Sequence, residues 1–160
     1  MIRGSKILSH HPAVLWVPLL LCAFSVFTHH SDGLLEALQY DRGSIQKDQL
    51  YRLISGHFCH WTLRHMGFDT FFFGLLSCLY FLFHKGPASG IRNYGIYILV
   101  LSLVTGGVVH FLYPGIIYYR GLSGLDWGLY GIFAVQLLKL RHWFWKTGSF
   151  LMIVLFAIKL

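Results

Sequence analysis

Apolar residues fall along this chain in long unbroken blocks, not in alternation. The blocks run over residues 13–28, 63–83, 94–113, 122–138 and 143–160. A helix needs about 20 mostly apolar residues to cross a bilayer, so each block predicts a membrane span. Between the first two blocks lies a polar segment, 29–60. Its apolar positions (Leu34, Leu35, Leu38, then Ile45, Leu50, Leu53, Ile54) predict short amphipathic helices lying at an interface. Residues 84–93, with Gly86, Pro87 and Gly90, predict a loop, and Pro114-Gly115 predicts the turn before the fourth block. No repeat and no break in composition divides the chain. The expected fold class is therefore all-α, a single polytopic bundle over 1–160 with five spans and an outer loop at 29–60. The first block follows Arg3 and Lys6, a pattern that a cleaved signal peptide shares, but four more spans follow it and a retained first span is the expectation.

Composition sharpens this picture. Hydrophobic residues make up 56% of the chain and charged residues only 12%, about half the charge of a soluble domain. A water-facing surface cannot be covered with so little charge, which excludes an ordinary soluble enzyme. The net charge of +7 reads first as membrane topology. Placing the N-terminus in the cytoplasm puts Arg3, Lys6, Lys85, Arg92, Lys139, Arg141 and Lys146 on inner segments, with no acid among them. The outer segments then hold Asp32, Glu36, Asp41 and Asp48, balanced by Arg42, Lys47, Arg52 and Arg120. That asymmetry follows the positive-inside rule and implies no nucleic-acid partner; the expected surroundings are the lipid bilayer. Three cysteines, Cys22, Cys59 and Cys78, build no disulfide framework.

An ionisable residue within a span costs several kcal/mol, about 2.5–3.5 on insertion scales, and marks a candidate site. His65 and Asp69 open the second span, His110 stands near the outer end of the third, and Ser123 and Asp126 open the fourth. The topology puts all of them at one depth, a few residues below the outer surface, which predicts a polar pocket open to that side. His65 and Asp69 are spaced i, i+4 and share a helix face, either as a site or as a pair that neutralises a carboxylate. In Gly121-Leu122-Ser123-Gly124, the serine opens a helix whose free N–H groups would stabilise an oxyanion. The competing reading is a packing strip, with Gly128 and Gly131 continuing it and Ser123 serving only as an N-cap.

Two blocks together resemble the rhomboid family of intramembrane serine proteases. The first contains Arg52, then Phe58-Cys59-His60, then His65 followed four residues later by Asp69; the second is Gly121-Leu122-Ser123-Gly124. The resemblance spans about residues 13–160 and implies a six-helix bundle whose fourth helix is short and starts inside a water-filled cavity. It implies Ser123 as nucleophile, an oxyanion hole formed by His65, Asp69 and the Ser123 N–H, and Trp127 as the aromatic that packs near the catalytic histidine. Gly121 and Gly124 would pack beside the nucleophile. Asp69 stands where the family commonly has Asn, and a carboxylate there repels an oxyanion unless it is protonated or paired. The His-x-x-x-Asp form with Gly-Leu-Ser-Gly looks like the rhombosortase branch, which implies a transmembrane protein substrate with a C-terminal sorting segment. That branch also implies the inner membrane of a Gram-negative bacterium, with the active site near the periplasmic face.

The family's general base is a histidine on a sixth helix. His142 belongs to the cytoplasmic loop before the fifth span, far from Ser123, so turnover is expected only where a histidine-bearing sixth helix is supplied. The alternative is an inactive rhomboid-like adaptor that binds transmembrane helices. A metal held by His57, His60 and His65, or a haem between His65 and His110, is the weakest reading, and the expected cofactor set is none. Phe71, Phe72 and Phe73 read as lipid-facing bulk. Trp61, Trp143, Trp145, Tyr118 and Tyr119 read as interfacial belt residues, and Gly106-Gly107 as close helix packing.

Overall fold

The computed structural model describes residues 15–83, 87–139, 143–144 and 146–150, and they are mostly helical. Four longer helices carry the architecture: α1 (Trp16–His29), then, after the connecting segment, α5 (Leu63–Phe83), α6 (Pro87–Leu112) and α7 (Ser123–Leu138). α5 lies against both α1 and α7, and α6 packs on α7. Their apolar side chains meet in one core that includes Phe73, Leu76, Tyr94, Ile98, Leu125 and Leu129. Hydroxyls within it return their protons to the helix's own backbone: Ser102 Oγ donates to the Ile98 carbonyl at 2.7 Å, four residues back. Two helical stretches, Leu63–Leu82 and Ser89–Leu112, are long and apolar enough to cross a membrane.

α6 starts seven residues before the expected span, inside what its composition predicts to be a loop. The breakers do not break it, because proline suits the first helical position, where its missing N–H would have had no partner. The first part of the last apolar block is helical at 146–150 and rests on α7, where Ser149 Oγ donates to the Ala134 carbonyl at 2.5 Å. Residues 151–160, His142 and Trp145 lie outside the described residues.

The polar segment folds into three short helices, α2 (Asp32–Leu38), α3 (Arg42–Ile45) and α4 (Arg52–Ser55), and a 3₁₀ turn, Gly56–Phe58. Asp41 caps α3, accepting from the Gly43 and Ser44 N–H groups at 2.9 and 3.2 Å. α4 presses on α6 at Gly106, where a Cβ would come within 2.5 Å of the Leu53 carbonyl oxygen. Gly107 has open space around its Cα, so the expected packing belongs to Gly106 alone.

A two-stranded antiparallel ladder, which the apolar pattern does not predict, stitches this segment to the run into α7. β1 (Tyr40–Asp41) pairs with β2 (Tyr118–Tyr119), Tyr40 opposite Tyr119. Two residues are too few to leave a period in sequence. Arg42 fastens the same junction, donating to the carbonyls of Val109, His110, Tyr113 and Ile116 at 2.8–3.0 Å. One guanidinium thus satisfies two of the last carbonyls of α6, those of Val109 and His110, and two in the turn that follows.

Candidate active site

The ladder and Arg42 hold residues 116–122 so that α7 begins beside α5. Gly124 faces Thr105, where a Cβ would come within 2.5 Å of Thr105 Cγ2. α6 continues seven residues beyond that point, about 10 Å at 1.5 Å per residue. The first turn of α7 is therefore recessed below the end of its neighbour. Gly128 also packs on α6, against Leu101, whereas Gly131 faces open space, so the small-residue strip is a packing strip over only part of its length.

Leu122 is the N-cap of α7 and Ser123 its first residue. Ser123 is thus not the cap that the packing reading required; it stands half-buried where the helix's free N–H groups lie. Gly121, with φ +130°, sets up this arrival. That conformation favours glycine, and the position leaves no room for a side chain: a Cβ would fall 2.9 Å from His65 Cε1 and 3.0 Å from Asp69 Oδ2. The chain therefore runs directly over the His65–Asp69 face before it turns into α7.

Asp69 is the hub of the group. Its Oδ2 accepts from the Leu122 N–H at 2.9 Å and lies 3.1 Å from His65 Nε2, the pairing expected at i, i+4. The same oxygen lies 3.4 Å from His60 Nε2, at an angle that leaves that buried nitrogen without a hydrogen bond. His60 is fully buried, and its Nδ1 is 3.3 Å from Ser25 Oγ, which donates to the Phe58 carbonyl at 2.9 Å. His60 and His65 meet edge to face at 5.3 Å. Residues 25, 60, 65, 69 and 121–123 thus form one continuous patch. Asp69 enters it as an acceptor that takes a backbone N–H, and in this arrangement it offers no donor to an oxyanion.

Tyr119 completes the surroundings of Ser123. Its side chain points in while that of Tyr118 points out, the alternation of a strand, so only Tyr118 is placed as a surface belt residue would be. The Tyr119 hydroxyl donates to the Gly121 carbonyl at 3.3 Å, and its ring meets His57 at 5.4 Å and Tyr40 at 6.5 Å. Burial raises the phenol above its ordinary pKa, against the opposing effect of hydrogen bonds with the Ser123 hydroxyl and the Gly124 backbone. Arg120 closes the rim. It lies 4.1 Å over the Trp61 ring and donates to Gln39 Oε1 at 2.8 and 2.6 Å.

The other expected members lie elsewhere. His110 bonds Tyr40 through Nδ1 at 3.1 Å and belongs to the ladder side. Trp127 packs edge to face on Tyr130 at 5.6 Å, one turn along α7 from Ser123. Asp126 has one carboxylate oxygen buried without a hydrogen bond. His57 Nε2 donates to the Ser102 carbonyl at 3.1 Å, so that nitrogen carries the ring proton. His57 therefore faces α6, apart from the His60–Asp69 contact. Among the described residues no group of His, Cys, Asp and Glu has the arrangement of a metal site. The chain matches no family model and no curated relative.

Proposed function

We propose that this protein is an intramembrane serine endopeptidase with Ser123 as its nucleophile, similar in mechanism to the rhomboid proteases and within them to the rhombosortase branch. The observation that carries the reading is the junction at Gly121. A left-handed glycine brings the backbone that enters α7, two residues before Ser123, directly against His65 and Asp69, some 50 residues earlier in the chain. The recessed start of α7 supports a pocket below a membrane surface, and the two long apolar helices support a bilayer setting. In the full proposal five spans cross a bacterial inner membrane with the N-terminus inside and Ser123 near the periplasmic face.

In this reading Ser123 Oγ attacks the scissile carbonyl of a transmembrane or C-terminal sorting segment. Its proton passes to a histidine that the family carries on a further helix. The Ser123 N–H and His65 face the developing oxyanion. In the resting state the His65 Nε2–H is directed at the Asp69 carboxylate and must turn from it to reach the oxyanion.

The test is labelling of the intact membrane-embedded protein with a fluorophosphonate. Covalent modification of Ser123, abolished in Ser123→Ala, is the expected result. A wild-type protein that stays unlabelled while folded overturns the reading and supports the adaptor instead, which the acceptor role of Asp69 favours.

A further inference from the structure

Resting on that reading, the structure raises a question of donors. An acyl-transfer site needs neutral or cationic hydrogen-bond donors at the oxyanion, and the residue at 69 is an acceptor. Asp69 takes the Leu122 N–H for itself and sits within reach of the His65 Nε2 proton. Two candidate donors are thereby engaged with a carboxylate. A side chain beside Ser123 whose O–H is not engaged with a carboxylate is Tyr119, which now donates to the Gly121 carbonyl.

We infer that the Tyr119 phenol is a catalytic oxyanion donor, taking the place that a side-chain amide at position 69 would fill. Four observations carry this. The phenol oxygen lies within hydrogen-bonding reach of the Ser123 hydroxyl and the Gly124 backbone, as an acceptor, and its O–H is directed at the Gly121 carbonyl two residues before Ser123, which places it beside the first turn of α7. Its present bond to the Gly121 carbonyl is 3.3 Å, well beyond the ~2.7–2.8 Å usual for O–H···O, so turning the proton toward a stronger acceptor sacrifices little. The ring is held edge to face between His57 and Tyr40, and the ladder fixes its backbone opposite Tyr40, so the hydroxyl has little freedom to lose. Burial keeps the phenol protonated at neutral pH, which suits a donor and disqualifies a base.

The step balances without another reactant. Ser123 Oγ bonds to the acyl carbon, the carbonyl π pair moves onto oxygen, and the serine proton goes to the histidine base. Tyr119 keeps its proton throughout and shares it with the oxyanion, turning from the Gly121 carbonyl to do so. Removing one such donor lowers acylation on the order of 100-fold.

The experiment measures the second-order rate of fluorophosphonate labelling at Ser123 in the full protein. In that reaction the Oγ–P bond forms, fluoride leaves with the P–F pair, and the phosphoryl oxygen occupies the oxyanion position. Tyr119→Phe is expected to label on the order of 100-fold more slowly with an unchanged unfolding temperature. A 3-fluorotyrosine placed at 119 keeps the hydroxyl as a better donor. It is expected to label at least as fast as wild type, and its fluorine resonance is expected to move when Ser123 is phosphonylated. A Tyr119→Phe protein that labels at the wild-type rate, or a fluorine resonance unmoved by phosphonylation, overturns the inference and leaves the serine-protease reading standing. A wild-type Ser123 that never labels removes that reading and the role of Tyr119 together.

Discussion

Two polar clusters at the same end of the molecule are built on opposite principles. Around Arg42 each guanidinium nitrogen has a partner: the group serves four carbonyls, and Asp41 beside it accepts two backbone N–H groups. Around Asp69 three donors crowd a single carboxylate oxygen, one of them a buried nitrogen whose angle wastes the contact. Buried polar groups in a purely structural role are expected to be satisfied. The difference teaches where the frame ends and the chemistry begins. The Arg42 cluster fixes residues 109–117, and that fixed segment delivers Gly121, Leu122 and Ser123 to the imperfectly satisfied group.

The comparison can be broken from either side. Arg42→Met is expected to have the largest effect on stability, about 2–4 kcal/mol, because it strips charged hydrogen bonds from several partly buried carbonyls at once. Thermal unfolding in detergent reads this directly, and a loss below about 1 kcal/mol would mean that Arg42 is not the frame. Labelling of Ser123 by the same protein, assayed well below its unfolding temperature, should fall only modestly.

Gly121→Ala should show the reverse emphasis. The left-handed backbone and the contact with His65 and Asp69 make it cost about 1–3 kcal/mol, while Ser123 labelling drops far more than that loss explains. Equal labelling in Gly121→Ala and wild type would detach Ser123 from the Asp69 group.

The smallest effect concerns pH and His57, which lies between the clusters with its ring against Tyr119. Burial lowers its pKa below 6.5, with the Ser102, Gly121 and Leu53 backbone partly opposing. Below the unfolded value the unfolded chain binds the proton first, so stability falls as pH drops from 6.5 toward the lower folded value; above 6.5 the residue contributes no pH dependence. His57→Gln should therefore flatten the decline of the unfolding temperature as the pH falls from about 6.5 to about 5.5. An unchanged slope would show that His57 is not held neutral by the fold.

Much of the architecture was legible in the residues. The block from 63 to 83 is α5 to the residue, the fourth block is α7 with its start shifted by one, and the amphipathic spacing around Leu34 to Ile54 marks short helices. Unbroken apolar runs state their own length, and a pair at i, i+4 states its own face, which is why His65 and Asp69 could be placed together. The start of α6 was misread because Gly and Pro carry opposite meanings at a helix start and in a loop. Tyr119 was hidden as one of two adjacent tyrosines beside a turn, with two residues of strand too few to show which one points inward.

By itself, then, the sequence determined an apolar helical chain, the faces within each helix, and a serine opening a helix after a glycine. Only the tertiary structure decided that Asp69 takes the Leu122 N–H, that buried His60 lies against the same carboxylate, and that the Tyr119 hydroxyl reaches Ser123. Those contacts join residues 53, 9 and 4 positions apart, in α5, β2, the start of α7 and the segment before α5. Local patterning fixes directions along one helix at a time. What lies across from them depends on how a two-residue ladder and one arginine set the run into α7, and no period in the sequence encodes that.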